Sequence, residues 1–326
     1  MIRGRRAALL AIGLACAAFN AISILAAEPP PPPRTLAPGI HVFPGSAAAP
    51  DAANGGVVAN VGVIVGGAAV VVIGTGTSDT DGERLLAELH RLTDLPVVLA
   101  IDTYAGPEHV LGNSAFARHG IALLAHRETD RYMVQNCASC IRNLATAVGG
   151  ESLRGTRLER PTRLIDDSTT LAEAGRTLDI LYFGATQQPG SIAVFDRTSG
   201  VLFAGGLASF DVVPDTHDAD IDAWLAALRQ LRRLPLTAVV PGRGPAGAPG
   251  RLDEVADYLA GLAQASRRAY DAGISIAAAG SRVELPRFER WAMYETTHRR
   301  NVHFQYLRLE AQELAGQRPA VVMPSQ

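Results

Sequence analysis

The sequence predicts an α/β protein in which helices cover the faces of a β-sheet. Short Val-rich runs, typical of buried strands, alternate with segments whose leucines recur every three or four residues, as in amphipathic helices. Apolar residues make up 48% of the 326 residues, enough for a full hydrophobic core. A chain of this composition is neither disordered nor a membrane bundle.

The first half of the chain begins with strands. Residues 57–65 and 68–73 are Val-rich runs separated by Gly66-Gly67, which predicts a hairpin. A helix is expected over 81–92, because Leu85, Leu86 and Leu89 share one face. The other elements expected here are a strand at 40–43, a strand at 96–101, a short helix at 109–118 and a strand at 121–125.

The second half returns to strands and ends in helices. The segment 128–163 is polar and is expected to be irregular and only partly helical. An amphipathic helix is predicted over 220–234, where Ile221, Trp224 and Leu228 lie on one face. The remaining predictions are strands at 178–183, 192–196, 201–204 and 238–240, and helices at 252–272 and 302–314.

The N-terminal segment predicts export. Arg3, Arg5 and Arg6 precede an apolar stretch that ends in small residues at 26–27, as a cleaved signal peptide does, although the stretch is long enough for an uncleaved anchor. We therefore assign residues 1–27 to a signal peptide and expect a periplasmic protein, with no membrane contact after cleavage. The predicted organisation continues with a Pro-rich linker at 28–38, a main domain at 39–250, a helical region at 251–317 and a tail at 318–326.

The charged residues exclude several kinds of function. The formal net charge is −2, and it becomes more negative when the basic signal segment is removed, so nucleic-acid binding is not expected. All thirty basic residues are arginine, which excludes Schiff-base chemistry and a P-loop lysine.

A series of short motifs resembles the metallo-β-lactamase superfamily, and most closely its periplasmic branch of quinoprotein relay system zinc metallohydrolases. The resemblance covers nearly the whole chain after the signal segment. The motifs, in chain order, are Asn60-Val61-Gly62, Thr75-Gly76, His109-Val110-Leu111-Gly112-Asn113 with Phe116, the Cys137/Cys140 segment, Pro189-Gly190, Leu202-Phe203-Ala204-Gly205, Val240-Pro241-Gly242, and Arg300-Asn301-Val302 with Tyr306 and Glu310.

The resemblance implies a four-layer αβ/βα sandwich with extra C-terminal helices and a dizinc site at the edges of its sheets. Members of the family carry a His-x-His-x-Asp-His signature after a strand, and further His and Asp ligands later in the chain. Two zinc ions need about six such donors, and together they generate a hydroxide that attacks a carbonyl or an ester.

Most of the implied ligand positions hold residues that cannot bind zinc. The signature becomes Tyr104-Ala105-Gly106-Pro107-Glu108-His109, so that only Glu108 and His109 keep a donor. The later ligand positions hold Gln187 (or Gln188 in a shifted alignment), Gly206 and Arg243, and the strand-end aspartate is replaced by Gly74. Glycine has no donor, a neutral amide is a poor ligand, tyrosine rarely ligates zinc, and arginine stays protonated.

These substitutions predict a metallo-β-lactamase fold that has lost its zinc and its hydrolase activity, since catalytic zinc needs three protein ligands. No metal ligand or catalytic residue is assigned, and Glu108 and His109 are the candidates that remain. With the metal gone, we expect Arg243 to pair with Glu108, close to His109 and Gln187. The pocket then either is plugged or binds a small anion or a quinone-like ligand.

Cys137 and Cys140 form a CxxC motif. In an oxidising compartment, we expect the two cysteines to form a local disulfide. The alternative interpretation is a redox pair.

The leading functional prediction is an accessory or binding protein of a quinoprotein (PQQ-dependent) oxidation system, with a quinoprotein dehydrogenase or a cytochrome as partner. That association is implied by the resemblance alone. Two alternatives are a metallohydrolase with one zinc at Glu108 and His109, and a redox accessory protein that uses Cys137 and Cys140.

Overall fold

A computed structural model describes residues 31–316. The predicted signal peptide (1–27) and the predicted tail (318–326) lie outside these residues. Within them, no helix is both long and apolar enough to span a lipid bilayer.

The N-terminal half forms a seven-stranded sheet in which the strands follow their sequence order. The first four strands pair antiparallel and the last four pair parallel, because helices connect the later strands. The strands are β1 (Arg34–Ala37), β2 (Ile40–Phe43), β3 (Val61–Val65), β4 (Val70–Ile73), β5 (Val97–Asp102), β6 (Ala122–His126) and β7 (Arg163–Ile165).

The second sheet has five strands in the order β12-β11-β10-β9-β8. Only its outer pair, β11 and β12, is parallel. Its strands are β8 (Thr169–Glu173), β9 (Arg176–Tyr182), β10 (Ile192–Asp196), β11 (Val201–Ser209) and β12 (Ala238–Arg243).

Helices cover the outer face of each sheet. They are α1 (Asp79–Leu92), α2 (Pro107–Val110), α3 (Asn113–Arg118), α4 (Arg127–Val148), α5 (Ile221–Leu231), α6 (Arg251–Asp271), α7 (Ile276–Ala279) and α8 (Arg299–Gly316). Single 3₁₀ turns lie at Gly150–Leu153 and Pro286–Phe288, and a π-helical turn at Tyr294–His298 leads into α8.

Three clusters of buried apolar side chains lie between the four layers of helices and sheets. The central cluster lies between the sheets, where Ile64 and Val71 face Val194 and Phe203. A second cluster joins the seven-stranded sheet to α1 and α3. The third joins the five-stranded sheet to α5, α6 and the C-terminal helices around Trp224. The four-layer sandwich with extra C-terminal helices is thus confirmed, and so is the β3–β4 hairpin.

Two local predictions differ from the structure. The segment 128–163 is mostly the regular 22-residue helix α4, which buries Met133, Cys137 and Leu144 on one side. The remaining residues of α4 are mostly polar because the opposite side of the helix is exposed to solvent. The predicted linker 28–38 contains β1, whose ladder with β2 gives that stretch defined backbone partners.

One buried amide connects the two halves of the sandwich. The Nδ2 group of Asn60 donates to the carbonyl oxygens of Pro241 (2.8 Å) and Gly244 (2.7 Å), and its Oδ1 accepts from the N–H of Gly45 (3.1 Å). Asn60 therefore fixes the end of β12, which carries Arg243, and the loop that follows it against the start of β3.

We expect Asn60→Ala to lower the free energy of unfolding by about 2–4 kcal/mol, because three buried backbone groups lose their partner. Chemical denaturation of the purified protein measures this change. Asn143→Ala, at an exposed position, is the control and should change stability by less than about 0.5 kcal/mol. A similarly small effect of Asn60→Ala would show that the amide does not hold the loop.

Candidate functional site

The candidate site is a cavity of about 480 Å³ where strands β5, β11 and β12 end. The carboxyl ends of parallel strands are the usual ligand sites of α/β proteins. The structure brings five of the predicted pocket residues to the cavity wall, namely Tyr104, Glu108, Gln187, Gly206 and Arg243. Gly106 lines an adjoining hollow of about 290 Å³, while His109 lies behind the wall and is buried.

The imidazole ring of His109 is turned away from the cavity and held from within the protein. The backbone N–H of Thr103 donates to its Nε2 (3.1 Å), and the Thr103 hydroxyl lies 2.8 Å from the same nitrogen. Since Nε2 accepts a hydrogen bond, the proton of the neutral ring sits on Nδ1, which has no partner. Burial lowers the pKa of His109 to about 3, so the ring is neutral at physiological pH.

Tyr104 fills the space beside this ring. Its aromatic ring stacks on His109 with centroids 4.6 Å apart, and its hydroxyl donates to Oε1 of Glu108 (2.9 Å). Burial, assisted by the charge of Glu108, holds the pKa of Tyr104 well above its ordinary value. Tyr104 is therefore a neutral donor that keeps one carboxylate oxygen occupied.

Three glycines that the sequence places at the site leave room for neighbouring side chains. A Cβ atom at Gly106 would lie 2.3 Å from the ring of Tyr104, and one at Gly206 would lie 2.5 Å from Oε1 of Gln187. A Cβ at Gly74 would lie 2.4 Å from the His109 ring. The space beside each glycine is thus occupied by a neighbouring side chain.

The two candidate glutamines have different roles. Gln187 faces the cavity, where its Oε1 accepts from the Ser191 hydroxyl (3.2 Å). Gln188 is buried and accepts from the N–H of Ala105 (2.9 Å). Gln187 is therefore the glutamine that faces the cavity, and Gln188 is part of the wall behind it.

The expected ion pair between Arg243 and Glu108 is not formed. Arg243 donates through Nη2 to the carbonyl oxygens of Ala48 (2.6 Å) and Ala47 (3.4 Å), and within residues 31–316 no carboxylate lies within 4 Å of its guanidinium. Charge alone suggested the pair. The backbone of the loop before β3 is the closer partner of the arginine, and Tyr104 is the closer partner of the glutamate.

Sequence reasoning missed the contribution of the C-terminal helices to the cavity. Arg300, at the start of α8, donates to Asp215 (2.7 Å), and both line the cavity next to Met293. In the sequence, Arg300 is recognisable only as part of a family motif. No local pattern of residues relates it to a site that is far away along the chain.

A buried carboxyl group supports the site from behind. Asp102 is fully buried and accepts from Nδ2 of Asn113 (2.7 Å), whose Oδ1 in turn accepts from the Thr75 hydroxyl (2.7 Å). Its other oxygen has no partner. Burial raises the pKa of Asp102 to about 8, against an ordinary value of 3.8, so the group is mainly protonated at neutral pH.

The predicted disulfide between Cys137 and Cys140 is not formed, and both residues are free thiols. They lie on neighbouring turns in the middle of α4. Side chains three residues apart on a helix have Cβ atoms about 5–6 Å apart, whereas a disulfide needs about 3.5–4.5 Å. The spacing alone gave no indication that the motif lies inside a regular helix.

The residues present do not fit a dizinc centre. Glu108 offers a carboxylate, but Nε2 of His109 is engaged by Thr103 and its Nδ1 faces Gly74. Within the described part of the chain, no three His, Cys, Asp or Glu side chains come together as a possible metal site.

The two facing sheets covered by helices, with a cavity where the strands end, define a class of α/β protein. Comparison with known protein families identifies this class. A family model of the metallo-β-lactamase superfamily matches residues 54–243, more than half of the chain. The protein belongs to this superfamily.

The chain is also remotely similar to individual known proteins. The linear primary-alkylsulfatase of Pseudomonas sp. is 22% identical, over 57% of this chain and 42% of its own, so this chain spans less than half the length of that relative. A metallo-β-lactamase from Pontibacter korlensis is 20% identical with a TM-score of 0.58, covering 70% of this chain and 98% of its own. A double mutant of the sec-alkyl sulfatase PisA1 is 16% identical with a TM-score of 0.68, covering 89% of this chain and 52% of its own. These structural likenesses establish the fold.

We expect the stability that Asp102 provides to fall as the pH rises. Because its pKa is raised on folding, the folded state holds the proton more tightly, and this advantage disappears between about pH 4 and pH 8 at up to about 1.4 kcal/mol per pH unit. Asp102→Asn cannot titrate, so denaturation at pH 5, 6, 7 and 8 should show wild type losing stability relative to this variant at each step. Asp167→Asn, on the surface, should run parallel to wild type. Parallel curves for Asp102→Asn as well would mean that the carboxyl group is ionised in the folded protein.

Proposed function

We propose that this protein is an exported, zinc-free member of the metallo-β-lactamase superfamily that binds a small anionic ligand and does not hydrolyse it. The proposal includes membership of the quinoprotein relay branch, a periplasmic location and an accessory role beside a quinoprotein dehydrogenase or a cytochrome. The motifs of the sequence support these last points.

The observation that carries the proposal is the uncompensated charge of Arg243. The side chain is half-buried at the cavity wall, its Nη2 group binds only neutral carbonyls, and its Nε has no hydrogen-bond partner. A guanidinium that is partly removed from water and has no counter-ion within 4 Å loses part of its hydration without a compensating charge. An anion in the cavity would provide the missing partner through charge-assisted hydrogen bonds.

The rest of the cavity favours a ligand with an apolar part. Val58, Leu144 and Val213 contribute an apolar wall. The second oxygen of Glu108 can accept from a hydroxyl or an amine, since Tyr104 engages Oε1. By their names, two of the relatives act on alkyl sulfates, which also combine an anionic head with an apolar chain. The ligand class proposed here is a small organic carboxylate, sulfate or anionic quinone.

The loss of hydrolysis is supported by the donor set. Among residues 31–316, Glu108 and His109 are the acid–base candidates that the sequence indicates, and the His109 ring is turned away from the cavity. A general base must lie within hydrogen-bond reach of the proton that it removes. Glu108 is therefore left without this histidine as a partner, and its Oε1 is already engaged by the Tyr104 hydroxyl.

We expect the purified mature protein to hold fewer than about 0.2 zinc ions per chain after equilibration with equimolar zinc and removal of the excess, since at least three ligands are needed. Elemental analysis measures the content, and Glu108→Ala should not change it. About one zinc per chain that is lost in Glu108→Ala would contradict the proposal and favour the mononuclear hydrolase.

We expect Arg243→Gln to weaken ligand binding by about 10–100-fold, as the loss of a charge-assisted hydrogen bond does. Calorimetric titration with pyrroloquinoline quinone, a tricarboxylate, and with a short alkyl sulfate tests both ligand classes. Arg300→Gln is the matched control, because that arginine lines the same cavity but is already paired with Asp215, and it should change affinity less than threefold. No measurable binding of either ligand to wild type would support a plugged pocket instead.

A further inference from the structure

The two free cysteines differ in their access to the cavity. Cys137 is completely buried and packs among Val110, Leu111 and Met133. Cys140, one turn later on α4, is only partly buried and lines both the main cavity and the adjoining hollow. A molecule that enters the cavity therefore meets the sulfur of Cys140 and not that of Cys137.

The pair is also electrostatically unequal. The thiol of Cys140 donates to the carbonyl oxygen of Asn136 (3.5 Å), and interaction with the neighbouring Cys137 lowers the pKa of Cys140, while interaction with Cys140 and burial raise the pKa of Cys137. The thiolate is the reactive form of cysteine, so the more accessible thiol is also the more reactive one.

We propose that Cys140 and Cys137 form a redox-active dithiol that opens on the cavity, with Cys140 as the attacking thiol and Cys137 as the resolving thiol. The co-reactant is a small organic disulfide. This proposal rests on the two cysteines and the cavity, and does not depend on anion binding at Arg243.

The exchange proceeds in two balanced steps. The Cys140 thiolate attacks one sulfur of the disulfide, whose S–S bond breaks, and one thiolate leaves while a mixed disulfide remains on Cys140. Cys137 then loses its proton and attacks the sulfur of Cys140, releasing the second thiol. In total the protein gives up two electrons and two protons, and the small disulfide is reduced to two thiols.

Closing this bond must alter the cavity. The Cβ atoms of residues three apart on a helix are farther apart than a disulfide allows, so α4 has to distort locally. The same helix contributes Asn143, Leu144 and Ala147 to the cavity wall. The redox state of the pair is therefore coupled to the shape of the cavity.

The test uses the reduced full chain carrying Cys16→Ser, so that only the pair can react, with bis(2-hydroxyethyl) disulfide as the probe. Intact-mass measurements over time should show a transient single adduct, followed by a species that lacks the adduct and two hydrogens. Cys137→Ser should stop at a stable adduct on Cys140. Cys140→Ser should react at least about tenfold more slowly, because its remaining thiol is buried.

Equal rates for Cys140→Ser and the parent chain would overturn the assignment, and so would an adduct on the parent that never resolves. Cys137 is buried, and its serine variant risks misfolding. Brief alkylation of the parent chain with iodoacetamide, followed by peptide mapping, gives an independent test. It should label Cys140 at least tenfold faster than Cys137, and equal or reversed labelling would refute the proposed roles.

Discussion

The organisation of this site depends on the hydrogen bonds between Thr103 and His109. Two donors of Thr103, its backbone N–H and its hydroxyl, converge on Nε2 of the imidazole and turn the ring toward the interior. Gly205 leaves room for the Thr103 hydroxyl, since a Cβ there would lie 2.3 Å from it. With the ring in this position, Tyr104 can stack on it and reach Glu108. The orientation of His109 thus engages its Nε2 within the protein and creates the surface on which Tyr104 packs.

The small residues of the site fit the side chains beside them. A Cβ at 106 would overlap the ring of Tyr104, and a Cβ at 74 would overlap the ring of His109, so these two rings keep their positions only beside glycine. At 206 a Cβ would meet the Oε1 end of Gln187, a flexible side chain that can move aside. The packed rings therefore constrain residues 74 and 106 more strongly than residue 206.

Much of the fold was predictable from sequence, and less of the site. The periodicity of Val-rich and Leu-rich segments located most strands and helices, and the motifs from Asn60 onward supplied the four-layer architecture. The residues at 104, 206 and 243 line the cavity and the residue at 106 lines the adjoining hollow, while their role there stays a prediction. The partners of Arg243 and Glu108 could not be predicted, because backbone carbonyls at 47–48 and the phenol of Tyr104 compete for them. The geometry of Cys137 and Cys140 likewise depends on a helix whose polar sequence concealed it.

The scaffold around the cavity is held by the protein alone. The hydroxyl of Thr75 and the amide of Asn113 connect the end of β4, the protonated carboxyl of Asp102 at the end of β5, and the start of α3. The backbone N–H of Thr75 also donates to the carbonyl of His109 (2.8 Å), which fixes α2 against the same strand end. Because these bonds are buried and neutral, they keep their strength without a nearby metal charge. These bonds therefore support the strand ends from which the cavity lined by Arg243 and Cys140 is built.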